Sequence, residues 1–371
     1  MTRARWTAVA GLSVVTLVAG VALAFSSRDG VSSTAASTSS PAARTTTTPK
    51  LRETTTTTRP ATGSGKPVVI AFGGDVHFEG ILRSQLDENA TGMLAPVAPL
   101  LSPADLAVVN LETAITERGA PATKEFVFRA PARAFVALAA AGVDVAGMAN
   151  NHGLDYGPDG LADSLASSAA AHFPIIGIGN NANQAYEPYR ATVRGQRIAV
   201  IAATQVIDNN LISAWTATES QGGLASAKNV DRLVQAVRAA RAAADTVVVF
   251  LHWGVEQQTC PSANQEALAI TLVAAGADVV VGGHAHRLQG GGRLGNAFVD
   301  YGLGNFVFYT AGGPGTESGV LYLTVTGRRI DGYRFAPAVL QNGVAHPLSG
   351  DAAGAALAHW DGLRSCTNLT P

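Results

Sequence analysis

Short apolar runs alternate with segments of helical periodicity from residue 67 to the end of the chain. The runs are rich in β-branched residues and end in Gly, Asn, Asp or His, which favours buried strands over pieces of helix. The pattern is typical of an α/β protein. It predicts strands at residues 68–72, 106–109, 143–149, 197–202, 246–251 and 278–281. It predicts helices at residues 131–141, 155–171, 230–237 and, after a capping box at 262–265, to about 275.

The end of the chain has a different pattern. Residues 320–326 and 333–340 are expected to form antiparallel strands, and residues 350–364 a final helix. No internal repeat is visible. One α/β domain over residues 67–371 is therefore predicted, in preference to two.

The first 66 residues have a composition unlike the rest. Residues 6–25 are apolar and uncharged, follow a short basic flank and include the small residues of a cleavage site at 22–24. Residues 1–25 are therefore a cleaved export signal or a retained membrane anchor, and both predict an extracytoplasmic domain, secreted or membrane-anchored. Residues 26–66 are rich in Ser, Thr and Pro, which predicts a disordered stalk.

Charge and cysteine usage narrow the function classes. The net charge is −1 with a pI of about 6.7, so no basic surface for nucleic acid is indicated. The two cysteines, Cys260 and Cys366, are compatible with one disulfide in an exported protein. Two unlinked thiols are the alternative, since the geometry of the pair cannot be judged from sequence.

Five predicted strands end in metal-ligand residue types. Alone, such residues are commonly turn formers, helix caps or core histidines. Together they predict a metal site, because open α/β sheets bind ligands at the carboxyl ends of their strands and imidazole is the commonest metal ligand. The five ends are Gly73-Gly74-Asp75-Val76-His77, Asn110-Leu111-Glu112, Asn150-Asn151-His152, His252-Trp253-Gly254 and Gly283-His284-Ala285-His286.

The order of these motifs resembles the calcineurin-like metallophosphoesterases. The residues within the motifs are closer to those of one branch, the CapA-like proteins of capsule and poly-γ-glutamate synthesis. The motifs most specific to that branch are Asn150-Asn151-His152 and Leu303-Gly304-Asn305-Phe306. The resemblance covers roughly residues 67–310. It implies a metallophosphoesterase-like four-layer αββα sandwich with mixed central sheets.

Carried over residue by residue, the resemblance implies two divalent ions, with Mn, Fe or Zn suited to mixed nitrogen and oxygen ligands. One ion takes Asp75, His77 and His286, and the other takes Asn151, His252 and His284. Glu112 stands where the phosphoesterases have a bridging Asp. His152 is expected beside the ions, as an acid or a transition-state stabiliser.

Three basic residues are candidates for binding an anionic substrate: Lys124, Arg129 and Arg287. Solvated loop charges are the alternative.

The sequence leaves two functions open. One is a metal-dependent hydrolase that makes or trims an anionic surface polymer, for which the resemblance implies poly-γ-glutamate. The other is a non-catalytic assembly or export factor that binds the polymer on the same scaffold. The amino-terminal segment would provide the membrane contact; protein partners are not indicated.

Overall fold

The computed structural model describes residues 63–310 and 312–371. The predictions for residues 1–25, and for the stalk up to residue 62, lie outside this part of the chain. Within it the strands are, in chain order, β1 (Val68–Val76), β2 (Leu106–Leu111), β3 (Ala114–Ile115), β4 (Arg129–Ala130), β5 (Val145–Gly147), β6 (Ile175–Ile176), β7 (Ile178–Gly179), β8 (Tyr189–Val193), β9 (Gln196–Thr204), β10 (Gly223–Leu224), β11 (Thr246–His252), β12 (Val279–Gly283), β13 (Gly291–Leu294), β14 (Ala297–Asp300), β15 (Asn305–Val307), β16 (Glu317–Thr326), β17 (Arg329–Gln341) and β18 (Val344–Pro347).

Helices connect these strands and cover their outer faces. The described helices are α1 (Ile81–Asn89), α2 (Ala98–Leu101), α3 (Arg133–Ala141), α4 (Gly157–Ala171), α5 (Ala182–Ala185), α6 (Ile212–Trp215), α7 (Val230–Ala243), α8 (Ala263–Ala275) and α9 (Gly350–Leu363). The predicted capping box at the start of α8 is confirmed, because Ser262 and Gln265 satisfy each other's backbone N–H groups. No helix of the described residues is both long and apolar enough to cross a bilayer.

Two mixed sheets hold most of the described strands. The first has the order β15-β18-β17-β16-β1-β2-β5-β6, and β15 also pairs with β1. The second has the order β13-β14-β12-β11-β9-β8, with four parallel central strands and an antiparallel strand at each edge. The apolar runs predicted β1, β2 and β5 of the first sheet and β9, β11 and β12 of the second, since strands buried on both faces need no polar alternation. The short parallel strands β6, β14 and β15 were not predicted.

The two sheets pack face to face with helices outside them. Alternate residues of β1 and β11 prove this, because successive side chains of a strand point to opposite faces. Ile70 and Phe250 lie in the core between the sheets, whereas Ala71 and Leu251 lie in cores on the outer faces. Leucines of α1–α4 fill the first outer core and those of α7 and α8 the second. The predicted four-layer αββα sandwich is confirmed.

Four parallel strands begin directly after an aspartate that accepts a backbone N–H from the neighbouring strand. Asp105 accepts from Val69, Asp144 from Ala107, Asp245 from Arg197 and Asp278 from Val247, at N···O distances of 2.9, 2.7, 2.8 and 2.9 Å. These carboxylates satisfy the N–H groups left without a partner at the starts of the strands. They also fix the register at the end of the sheets opposite the carboxyl ends.

The chain end is tied back to the second sheet. Cys260 and Cys366 form a disulfide with a Cα–Cα distance of 5.7 Å, which is the bridged alternative of the two that the sequence left open. Arg293 of β13 pairs with Thr370 beyond the bridge. At the other end, Ser64 hydrogen-bonds to Arg194 and Gln196, so the last residues assigned to the stalk contact the domain.

Candidate metal centre

The carboxyl end of β1 meets β15 and β12 through glycines. A Cβ on Gly74 would lie 1.9 Å from the carbonyl oxygen of Gly304, and one on Gly283 would lie 2.3 Å from Oδ1 of Asp75. Only glycine allows these approaches. They bring the Asp75 carboxylate of the first sheet onto the strand of the second sheet that leads to His284. The Gly-Gly-Asp, Gly-His and Leu-Gly-Asn motifs therefore lie next to one another in the fold.

Five of the predicted metal ligands form two overlapping groups around Glu112. One group is Asp75, Glu112 and His252, and the other is Glu112, His284 and His286, with the ligand atoms of each group within 4.8 Å of one another. Glu112 belongs to both, as expected for a bridging carboxylate. The resemblance implies another division, with His286 beside Asp75 and His252 beside His284, and the division of the ligands stays a prediction.

Glu112 is fully buried and neither of its carboxylate oxygens has a hydrogen-bond partner among the described residues. Its Oε1 lies 3.4 Å from Nε2 of His252 and 4.0 Å from Nε2 of His286. Burial, and then the nearby charge of Asp75, raise the pKa of Glu112 to about 8. An unsatisfied buried carboxylate among imidazoles fits a divalent cation, which would supply the missing partner.

Asp75 and His286 form an ion pair at this centre. His286 Nδ1 lies 3.4 Å from Asp75 Oδ2. Burial alone would raise the pKa of Asp75, but the hydrogen bond and charge of His286 outweigh it and lower that pKa to about 2. Burial likewise opposes the charged form of His286, yet Glu112 and Asp75 raise its pKa to about 9. The pair is therefore ionised at neutral pH in the metal-free protein.

The other two histidines of the groups are neutral. Burial lowers the pKa of His252 to about 3 and that of His284 well below its ordinary value, so their lone pairs are available at neutral pH. His284 Nδ1 has no hydrogen-bond partner among the described residues. His284 and His286 both have positive φ, 88° and 52°, a conformation that is uncommon for residues other than glycine.

Three asparagines contact the predicted metal ligands. Asn151 Oδ1 lies 2.6 Å from Nε2 of His252, so this predicted ligand does reach the centre. Asn110 contacts both Asp75 Oδ1 at 2.8 Å and His252 Nδ1 at 3.0 Å. Asn305 Oδ1 lies 2.9 Å from Nδ1 of His286. Asn110 and Asn305 were quoted within the sequence motifs but given no role, because an amide that orients a ligand has no spacing signature of its own.

His77 is placed differently from its prediction. It belongs to neither ligand group, and its Nδ1 and Nε2 each face a backbone N–H, of Glu79 at 3.0 Å and of Tyr309 at 3.1 Å. Its ring stacks on Phe128 and meets Phe308 and Tyr309 edge-on. The aromatic neighbours come from distant parts of the chain, so the Asp-x-His spacing could not reveal them. The role of His77 as a ligand stays a prediction, and this geometry does not favour it.

His152 lies next to the groups rather than in them. Its Nε2 is 4.0 Å from Glu112 Oε1, and its Nδ1 hydrogen-bonds to the carboxylate of Asp155. Burial lowers the pKa of His152 to about 3, and it raises that of Asp155 to about 7 against the charge of Lys124. Asp155 holds the imidazole in one orientation. This contact was not predicted, although Asp155 stands three residues after His152 in the quoted motif.

The three basic candidates have different positions. Lys124 is almost buried, pairs with Asp155 at 3.1 Å and lies over the ring of Trp215. Arg129 stacks on the ring of Tyr156. Arg287 Nη2 lies 3.8 Å from Glu317, and its buried Nε has no hydrogen-bond partner among the described residues. Lys124 is thus adjacent to His152. Substrate binding by any of the three stays a prediction.

Comparison with known proteins identifies the family. The family described as bacterial capsule synthesis protein PGA_cap matches residues 69–310, which include all five motif-bearing strand ends. The chain belongs to this family. The resemblance seen in the motifs is therefore confirmed. The family match ends before β16, so the two long antiparallel strands, α9 and Cys366 lie outside it.

Individual relatives of the PGA_cap family match over part of their length. The capsule biosynthesis protein CapA of Bacillus anthracis is 37% identical over 46% of this chain and 42% of that protein. The PGA biosynthesis protein CapA of Bacillus subtilis is 28% identical over 64% of this chain and 62% of that protein. The chain thus spans less than two thirds of either relative. A solved structure, a hypothetical protein from Thermus thermophilus, is 17% identical over 74% of this chain and 100% of that protein, with a TM-score of 0.46.

Proposed function

We propose that this chain is an extracytoplasmic, metal-dependent hydrolase that acts on an anionic surface polymer. The observation that carries the proposal is the Glu112 carboxylate, buried without a hydrogen bond and shared by two groups of ligands. Without a bound cation the buried group holds a proton instead, as its pKa of about 8 shows, and its two oxygens still lack hydrogen-bond partners among the described residues. Metal binding explains why such a group is kept.

Two divalent ions, of Mn, Fe or Zn, are the proposed cofactors. Asp75, Glu112 and His252 would hold one, Glu112, His284 and His286 the other, and Asn151 offers a further oxygen. When bound, such ions polarise the scissile bond and offset negative charge that develops on its oxygens. The chain itself excludes water from the ligands, because most of them are buried and the glycine approaches leave no space behind Asp75.

His152 is the proposed acid–base residue. Asp155 holds its Nδ1, so the Nε2 atom faces the ligand groups and can transfer a proton. The lowered pKa of the ring means that it is neutral at pH 7 in the metal-free protein. Lys124 would attract the negative charge of the substrate to this side of the centre. Arg129 and Arg287 are the further candidates for that task.

The proposed substrate is poly-γ-glutamate or its precursor. The support is the family and the names of its relatives, one of which is a PGA biosynthesis protein. The residues of the centre favour phosphoester hydrolysis at least as well. Export to the cell surface, with the amino-terminal segment as signal or anchor, is proposed from the composition of residues 1–66.

A direct assay tests the proposal. The full chain is loaded with Mn²⁺, Fe²⁺ or Zn²⁺ in turn and incubated with a generic phosphodiester and with a γ-linked glutamate polymer. Turnover of either that is lost in chelator and in the Glu112→Gln variant supports the hydrolase. Polymer binding without turnover under every metal would replace it with the alternative, a non-catalytic assembly or export factor.

A further inference from the structure

A cavity of about 530 Å³ lies at the end of the sandwich opposite the metal centre. It opens between two hairpin turns, Gly295-Asn296 of the second sheet and Gly327-Arg328 of the first. Asp278 lines it and precedes β12, the strand that leads to His284 at its other end. At the usual rise of a strand the cavity and His284 are about 20 Å apart. Its contents cannot touch the metal ligands directly.

The cavity is lined by arginines whose hydrogen-bonding capacity is only partly used. Arg328 Nε donates to Asp278 Oδ1 at 3.2 Å, and Arg293 Nη2 donates to the carbonyl of Ile330 at 3.2 Å. These two guanidinium groups form no other hydrogen bond within residues 63–310 and 312–371. A guanidinium has five N–H donors, so most of theirs remain for a ligand.

The acidic groups nearby do not cancel this charge. Asp278 is buried and is bound by Arg241, Arg328 and the backbone N–H of Val247. Arg329 pairs with Asp331. Three arginines line the cavity, and against Asp278 and Asp331 they leave one positive charge. Arg241, which pairs with Asp278 from outside the lining, adds a second. Buried Asp278 keeps Arg328 oriented along the wall, a preorganisation that lowers the entropic cost of binding.

The cavity also has an aliphatic part. It is lined by Val273, Ala277, Leu294, Ala297 and Ile330. Forked guanidinium groups match carboxylates in two-point contacts, and aliphatic side chains match methylene groups. The ligand that combines both is a chain of carboxylates separated by short methylene spacers. Inorganic phosphate would pair with the arginines but leave the aliphatic side chains of the lining exposed to water.

We propose that this cavity is a second binding site, for a polycarboxylate with methylene spacing such as a γ-linked glutamate oligomer. The site itself follows from the cavity, whereas the choice of this polymer as its natural ligand rests on the proposed function. A polymer bound here is held at the far pole of the domain, away from the hydrolytic centre. The site therefore retains the polymer independently of metal binding.

Binding of a fluorescent γ-linked glutamate oligomer to the full chain tests the site. The protein is stripped of metal by chelator and also carries His252→Ala, so the metal centre does not contribute. Arg293→Gln and Arg328→Gln are each expected to weaken binding about threefold to tenfold, the range for a partly exposed charged contact. Arg238→Gln, which removes an exposed arginine of α7 instead, is the matched control and leaves affinity unchanged.

Asn296→Glu distinguishes an effect on binding from an effect on folding. Asn296 is exposed in the turn and its side chain forms no hydrogen bond within the described residues, so a glutamate there adds repulsion without removing a stabilising contact. It should weaken binding as much as Arg293→Gln while the melting temperature stays the same. Glutarate should displace the oligomer at lower concentration than inorganic phosphate does.

Three outcomes would overturn the site: wild-type affinity in all the cavity variants, no oligomer binding at all, or phosphate competing as well as glutarate. The proposed function can fail separately. Arginine-dependent binding in a protein that hydrolyses nothing keeps the cavity site and removes the hydrolase. Metal-dependent hydrolysis with normal binding by the cavity variants keeps the hydrolase and removes the site.

Discussion

At the scale of single residues, Glu112 is a side chain that the metal-free protein accommodates poorly. Its carboxylate is fully buried, has no hydrogen bond among the described residues and lies near a second acid, Asp75. Functional sites commonly retain groups that reduce stability, because the same group is needed for binding. Stability and metal binding should therefore change in opposite directions when this carboxylate is replaced.

Glu112→Gln in metal-free protein tests this opposition. The folded-state pKa of about 8 is above the ordinary 4.5, so the folded form holds the proton more tightly and the unfolding free energy falls as pH rises between these values. The variant lacks this loss and should be more stable than wild type by about 1–3 kcal/mol at pH 9, and by less at pH 5. Urea unfolding in chelator measures both. An equal difference at the two pH values would contradict the assignment.

His152 is expected to affect turnover and not metal binding. It lies beside the ligand groups, so His152→Ala should keep the bound metal and lower hydrolysis about 10²–10⁴-fold, as for general acid–base groups. Asp155→Asn should cause a smaller loss and shift the pH profile, because it acts through the imidazole. Metal content, melting temperature and hydrolysis are measured on one sample. Unchanged activity per folded molecule means that His152 only packs, and loss of metal means that it is a ligand.

At the scale of elements, aspartates at strand starts fix the parallel strands at the end remote from the metal. Asp245 is buried and accepts from Arg197 N, whereas Asp144 accepts from Ala107 N near solvent. Water can replace the carboxylate of exposed Asp144, but it cannot reach the position of buried Asp245. We therefore expect Asp245→Ala to lower the unfolding free energy by about 1–3 kcal/mol and Asp144→Ala by less. Thermal or urea unfolding gives both values, and equal losses would contradict this view of the caps.

Strands of apolar runs were predictable, and glycine-rich strands were not. Residues 68–72, 197–202 and 246–251 lie in β1, β9 and β11 because Val and Ile fill two buried faces. β13 begins with Gly291-Gly292, a run that is typical of loops. The structure requires these glycines, since a Cβ on Gly291 would lie 2.6 Å from Asp300 Oδ2 and 2.8 Å from Trp360. That restriction comes from distant residues and has no local signal.

The same contrast holds for the candidate centre. The ligand-bearing strand ends were predictable because parallel strands bring their carboxyl ends together. The distribution of ligands between the two groups, and the enclosure of His77 by Phe128, Phe308 and Tyr309, depend on side-chain orientation across both sheets. Asp155 and Asn110 act through other residues, and hydrogen bonds of that kind are visible only in three dimensions.

At the scale of the whole molecule, the disulfide joins the carboxyl-terminal tail to the loop that follows His252. The bridge closes a separation of 106 residues. Constraint of so long a loop in the unfolded chain stabilises a fold by about 2–5 kcal/mol. Cys260→Ser with Cys366→Ser should lower the melting temperature, and so should a reductant on wild type. A reductant that acts equally on the double variant would show that the bridge is not the cause.

The proposed metal centre joins the two sheets, since Asp75 and Glu112 lie at the carboxyl ends of strands of the first and His252, His284 and His286 at those of the second. The decisive measurement is bound metal per chain, by elemental analysis, in wild type, His252→Ala and His284→Ala. His172→Asn, a change at an exposed histidine that ends α4, is the control. We predict close to two ions per wild-type and control chain and a clear loss in both site variants, with the folded state intact. Equal metal content in all four proteins would contradict the two-metal centre.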